Sequence, residues 1–127
     1  MSGKILRSAD APAPIGPYSQ AVQLDKFIFT SGQIAINPAT GNIEAQDIAA
    51  QTRQVMENLS AVLKAAGVSL SKVIKTTIFL KDMNDFPKMN DIYGSYFSEA
   101  PPARSTVQVA RLPKDALIEI ECVASTS

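Results

Sequence analysis

Two stretches of this chain carry helical periodicity. That count limits the fold more than any other feature, because two helices cannot cover both faces of the sheet that the rest of the chain is patterned to form. Over residues 47–66 the apolar side chains fall at Ile48, Val55, Met56, Leu59, Val62, Leu63 and Ala66, the three-and-four spacing that lines one helical face. Asp47 is placed to cap the start of this helix and Gly67 to close its end. A second helix is predicted over 86–98, with Asp85 as its cap and Pro87 in the first turn, where its missing N–H is tolerated. Phe86, Met89, Tyr93, Tyr96 and Phe97 form its apolar stripe. Gly94 lowers helix propensity there and leaves room for close packing.

The other segments read as strands. Residues 21–36 hold two apolar runs, AVQL and FIFTSGQIAI, separated by Asp25 and Lys26, which suggests a hairpin although its turn lacks the usual Gly. NPATG, residues 37–41, is a loop, since Pro38 fixes one φ and Gly41 permits a positive one. Residues 73–81 alternate, with Ile74, Thr76, Ile78 and Leu80 on one face and Val73, Lys75, Thr77, Phe79 and Lys81 on the other. Residues 103–111 and 116–124, joined by LPKD, are strand-like and are expected to pair antiparallel. The order strand, strand, strand, helix, strand, helix, strand, strand predicts an α+β fold: one mixed sheet with both helices on one face, as a single domain over residues 1–127. Ile118, Ile120 and Cys122 are expected beneath the helices together with Val107 and Val109. Arg104, Thr106 and Gln108 then fall on the uncovered face with Glu119 and Glu121. Such a face is too apolar to stay wet, which predicts self-association through it.

Composition narrows the chemistry. With 46% hydrophobic and 19% charged residues in 127, the chain reads as globular rather than disordered. Lys+Arg and Asp+Glu are 12 each, so no net field is available to gather phosphate backbones, and nucleic-acid binding is not expected. The chain contains no His and a single Cys, Cys122. Ser-His-Asp and Cys-His triads, HExxH zinc sites, Cys-rich metal sites and internal disulfides are therefore excluded. No uncharged apolar run approaches the roughly 18 residues of a membrane span, and the start lacks the apolar core of a signal peptide. The expectation is a soluble, cytoplasmic protein with no metal and no cofactor. Any catalysis would come from carboxylates, Arg, Lys, Tyr, hydroxyls and backbone amides.

On the expected open face, Arg104 and Thr106 would stand near Glu119 and Glu121. Spacing leaves two readings open: a cross-strand ion pair worth less than about 1 kcal/mol, or a site in which the planar Arg fork grips a carboxylate while a Glu acts as base. Tyr18 follows a Gly-Pro turn in IGPYSQAV, and Ser31 and Gly32 interrupt an apolar strand. Tyr18 reads equally as a packed aromatic and Gly32 as a bulge, or Gly32 lets a ligand approach backbone amides beside the Ser31 hydroxyl.

Taken together, APAPIGPYSQAV (11–22), FTSGQIAINPATG (29–41), KTTIFLKDMNDF (75–86) and PARSTVQVARLPKDALIEIE (102–121) closely resemble the reactive intermediate deaminase family, the Rid or YjgF-type imine deaminases. The motifs run in order along nearly the whole chain. The resemblance implies a chorismate-mutase-like fold and a homotrimer whose open sheet faces form a central β-barrel, with sites between subunits. It implies hydrolysis of 2-iminobutanoate and 2-iminopropanoate, released by PLP-dependent dehydratases, to 2-keto acids and ammonia, with no cofactor. In this resemblance Arg104 matches the arginine that clamps the substrate carboxylate. Glu119 matches the acid that holds the attacking water, with Glu121 as the fallback. Tyr18 matches the cleft tyrosine, Ser31 and Gly32 the pocket wall, and Asn90 a nearby polar residue. Thr106 departs from the pattern, since many bacterial members carry Cys there; a pocket-lining role survives that change. The alternative is a non-catalytic trimer that binds small ligands or acts as a regulatory, chaperone-like protein. RNA cleavage is disfavoured by the lack of His and of a basic stripe, and chorismate mutase chemistry by a total of four Arg.

Overall fold

The computed structural model describes residues 3–127; Met1 and Ser2, the first two residues of the expected domain, lie outside the described residues. Strand β1 (Lys4–Leu6), which the sequence pattern did not predict, pairs with β2 (Ala21–Leu24), and β2 turns into β3 (Phe27–Thr30) as expected. Leu24 and Phe27 face each other across the two-residue turn, where Asp25 takes a φ of 54°, a left-handed conformation that Asp tolerates better than most residues. The second apolar run, residues 27–36, is split rather than continuous. β3 ends at Thr30, Gln33 makes a single bridge to Ile120, and the NPATG loop becomes the turn of a two-stranded hairpin, β4 (Ile36–Asn37) with β5 (Asn42–Ile43). Gly41 supplies the φ of 77° this turn needs, and its N–H donates to the Asn37 carbonyl at 2.8 Å.

Helix α1 (Ile48–Lys64) starts where Asp47 accepts a hydrogen bond from the Ala50 N–H at 2.8 Å and ends before Gly67 at φ 77°. Its buried stripe runs from Ile48 through Val55, Met56, Leu59, Val62 and Leu63, as the 3.6-residue period requires. Helix α2 (Phe86–Tyr96) is two residues shorter than expected, and the Asp85 side chain does not cap it. A turn of tighter helix precedes it instead, capped by Asp82, which accepts from the Asn84 N–H at 2.9 Å. Gly94 is not a close-packing point, because a Cβ added there would meet nothing within 4 Å.

The main sheet has the order β1-β2-β3-β8-β6-β7, where β6 is Val73–Leu80, β7 Ala103–Gln108 and β8 Ile118–Ser125. The expected β7–β8 pairing does not occur. β7 runs parallel to β6, as a connection through a crossover helix demands, and β8 enters on the other side of β6, antiparallel to it. That order sets the faces. Thr76, Ile78 and Leu80 of β6 align with Arg104, Thr106 and Gln108 of β7, and with Cys122, Ile120 and Ile118 of β8. Ile78, Leu80, Ile118 and Ile120 are wholly buried under the helices, each contributing about 1.5–3 kcal/mol against exposure. Arg104, Thr106 and Gln108 therefore lie on the helix-covered side, opposite to the sequence expectation, while Val107 shares the open side with Phe79, Glu119 and Glu121. A bulge between Val73 and Lys75 also inverts the start of β6: Val73 is buried and Ile74 exposed, because the extra residue shifts the alternation.

Three buried amides tie irregular chain to this frame. Asn58 of α1 donates to the carbonyls of Ile34 and Ile36 at 3.1 and 2.9 Å. Gln51 donates to the Ala45 carbonyl and accepts from the Leu117 N–H. Gln20 accepts from the Ser8 N–H at 2.7 Å and donates to the Pro12 carbonyl at 2.8 Å. The last holds residues 8–20 against the sheet, and Asn58 fixes the segment that follows Gly32.

Candidate active site

The residues singled out by sequence gather into two groups rather than one. The first lies along β7 and α2. The Arg104 Nη1 donates to Asn90 Oδ1 at 2.7 Å, and its Cζ lies 5.3 Å from the centre of the Phe86 ring and 5.1 Å from that of Tyr93, within range of a cation–π attraction. The other guanidinium donors have no hydrogen-bond partner among the described residues. Arg104 and Asn90 border a groove of about 460 Å³ whose other walls are Tyr93, Gly94, Phe97, Pro101 and Pro102. The remaining arginine donors, beside apolar walls, suit a small carboxylate with a short hydrocarbon substituent. Thr106 lies on the same side of the sheet, its hydroxyl buried and without a hydrogen-bond partner among the described residues.

The second group opens on the other side. Tyr18, Ser31, Gly32 and Glu119 line a groove of about 270 Å³ together with Ile15 and Pro113. The backbone between β3 and the Gln33 bridge brings Gly32 directly under the Glu119 side chain: a Cβ on Gly32 would stand 2.7 Å from Glu119 Cδ and 2.9 Å from its Cγ. The neighbour that needs the bare Gly32 backbone is thus a carboxylate of the same chain. The Ser31 hydroxyl donates to the Ser19 carbonyl at 2.6 Å, fastening this wall to the segment that carries Tyr18. Burial, and secondarily the negative charge of Glu121, hold the Glu119 carboxyl above its ordinary pKa of 4.5. Its oxygens take no hydrogen bond from any described residue. Glu121 is exposed and does not line the groove.

Arg104 and Glu119 thus line separate grooves on opposite faces of one sheet. The cross-strand ion pair is excluded with the shared face: the ion pair among the described residues is Arg111 with Asp115 at 2.8 Å, on the surface. Cys122, pushed up to about 11 by burial, is a packed thiol with Thr30 beside it and takes no part in either groove.

Sequence reasoning placed Phe86 and Tyr93 in the apolar stripe and missed their contact with Arg104. The signal was present, since Phe86, Asn90 and Tyr93 stand at i, i+4 and i+7 and share one face of α2.

Comparison with known proteins adds four observations. A family model described as Endoribonuclease L-PSP matches residues 8–126. A RutC family protein of Pyrococcus horikoshii is 58% identical over 121 residues, 95% of this chain and 96% of that one. The 2-iminobutanoate/2-iminopropanoate deaminase of Escherichia coli is 51% identical over 124 residues, 95% and 96% of the two chains. Among solved structures, E. coli TdcF with bound serine superposes with a TM-score of 0.93 at 47% identity, covering 98% of this chain and 99% of that chain.

Proposed function

We propose that this chain, which belongs to the Endoribonuclease L-PSP family with its YjgF and Rid relatives, hydrolyses 2-imino acids such as 2-iminobutanoate and 2-iminopropanoate to 2-keto acids and ammonia. It acts as a homotrimer, in which the Arg104 groove of one copy meets the Glu119 groove of the next. The observation that carries the reading is the Glu119 carboxylate: half-buried, unpartnered among the described residues and raised in pKa by burial, it is suited to take up a proton and return it. The deaminase name of the E. coli relative supplies the substrate class. Serine bound to TdcF supports a site for a small molecule bearing a carboxylate.

The chemistry needs little else. A protonated imine is already electrophilic at C2. Arg104 binds the substrate carboxylate and orients that carbon, and Glu119 takes a proton from water as the water oxygen bonds to C2. Glu119 then returns that proton to nitrogen. The C–N bond breaks as the new hydroxyl becomes a carbonyl, and its proton leaves on the amine, so both protons of the water end on ammonium. Tyr18 and the Ser31–Gly32 wall close the groove around the reacting carbon, and Thr106 lines the Arg104 side. The substrate would come from PLP-dependent dehydratases, which release enamines that tautomerise to imines.

The test couples a threonine or serine dehydratase to this protein and follows keto-acid appearance and imine clearance. The wild type is expected to accelerate hydrolysis, and Arg104→Ala to abolish the acceleration while the assembly persists by sedimentation. Undiminished clearance by Arg104→Ala overturns the assignment; equal rates with and without the wild type make this chain a ligand-binding protein instead.

A further inference from the structure

We infer that Tyr93 is a positioning residue: held by Thr76 and aided by Phe86, it fixes the Arg104 guanidinium so that the donors left free by Asn90 face the groove. The inference rests on the carboxylate-binding role proposed above for Arg104.

Arg104 projects from β7, the edge strand of the sheet, where a long flexible side chain would sample many rotamers. Ordering such a side chain when a ligand arrives weakens binding, and ordering it beforehand removes that cost. Three groups on one face of α2 do this ordering: Asn90 accepts from Nη1 at 2.7 Å, and the Phe86 and Tyr93 rings lie 5.3 and 5.1 Å from Cζ.

Tyr93 is itself fixed. It is 4% exposed, its ring packs on Phe97 at 4.9 Å between centres, and its hydroxyl bonds to the Thr76 hydroxyl at 2.7 Å. Thr76 is the β6 residue in register with Arg104. The strand neighbour of the arginine therefore holds the tyrosine that holds the arginine, a closed loop across β6, α2 and β7. Packing alone would be served by Val and Phe at these two positions, which bring no hydroxyls that must find partners in the core. The hydroxyl pair has the effect of setting the ring's position relative to a cation on the adjacent strand.

The experiment compares the wild type with Tyr93→Leu, Tyr93→Phe and Thr76→Val as assembled full-length proteins, by two measurements. Imine hydrolysis gives KM and kcat separately, and NMR relaxation gives the order parameter of the Arg104 Nε–Hε bond. In Tyr93→Leu, loss of a desolvated cation–π contact is expected to raise KM about tenfold with kcat within about twofold. The order parameter should fall from about 0.85, a rigid value, to below about 0.6. Tyr93→Phe keeps the ring and rescues most of the KM, leaving a rise of about twofold to threefold that Thr76→Val reproduces, as expected for loss of one neutral hydrogen bond. A merely structural tyrosine would lower the melting temperature and the active fraction, and hence kcat, without raising KM. If Tyr93→Leu does not fold, Tyr93→Phe and Thr76→Val decide the matter on the same two readouts.

Unchanged KM and an unchanged order parameter across the set, in a protein that hydrolyses imines, overturn the inference and leave the proposed function standing. If the wild type hydrolyses no imine, the proposed function falls; the order parameter alone then upholds the positioning role if it drops in Tyr93→Leu, and overturns it if it does not.

Discussion

The Glu119 carboxylate rests on the bare backbone of Gly32, and this one contact joins the sequence feature most easily misread to the proposed chemistry. Gly32 does not need a positive φ; it needs the absence of a side chain. A methyl group in its place would push against Cγ and Cδ of Glu119, the outer part of a flexible side chain that has a groove to swing into. Gly32→Ala is therefore expected to cost less than about 1 kcal/mol of stability, because the obstruction is not backbone. It should lower imine hydrolysis about a hundredfold, the usual consequence of moving a reacting group by an ångström. Denaturant unfolding and the coupled assay on the same preparation check this; equal losses in both, or full activity, would contradict it. The sequence could supply Gly32 and Glu119 as separate words and, through resemblance, their shared groove. It could not supply their contact, which depends on the single Gln33–Ile120 bridge that sets their registry.

At the scale of elements, α1 shows what periodicity reads well. A 17-residue helix with Asp47 as cap and Gly67 as stop declares its buried face on its own, since 3.6-residue spacing and cap chemistry are local. The faces of β7 show what it reads badly. The sequence pattern puts Val107 and Val109 on the covered face, yet the helix-side positions of this edge strand carry Arg104, Thr106 and Gln108. Apolar side chains mark the inside only where water is the alternative, and a face that another copy closes gives the same signal. Arg104 can stand on the helix side, partly buried, because Asn90 and Tyr93 on α2 satisfy it. The bulge at Val73 and the separation of β7 from β8 were hidden for a related reason, as both are decided by non-local pairing.

An element-scale prediction concerns Asn58, 1% exposed and donating to the Ile34 and Ile36 carbonyls. Asn58→Ala leaves those groups without their partner and should cost about 2–3 kcal/mol at fixed protein concentration. A loss below about 0.5 kcal/mol, the ordinary size of a surface substitution, would contradict that role.

At the scale of the whole molecule, two helices leave one face of a six-stranded sheet open, as the count of helical segments required. That face holds Phe27, Phe29 and Val107, each more than 40% exposed, with Ile5 and Leu24 continuing it across β1 and β2. An apolar surface of this extent marks an interaction face, and the proposed trimer accounts for it. It also accounts for the separation of Arg104 from Glu119, because a head-to-tail ring brings the groove of one copy to the complementary groove of the next.

If each site is built from two chains, mixing two inactive variants restores activity. Arg104→Ala and Glu119→Gln proteins, each inactive alone, are unfolded together in equal amounts and refolded into mixed assemblies. In any head-to-tail ring assembled at random, about a quarter of the interfaces then pair an intact Arg104 with an intact Glu119 from the neighbouring chain. Recovery of about one quarter of wild-type imine hydrolysis is expected; no recovery, with mixed assemblies confirmed by mass spectrometry, would mean that the site lies within one chain.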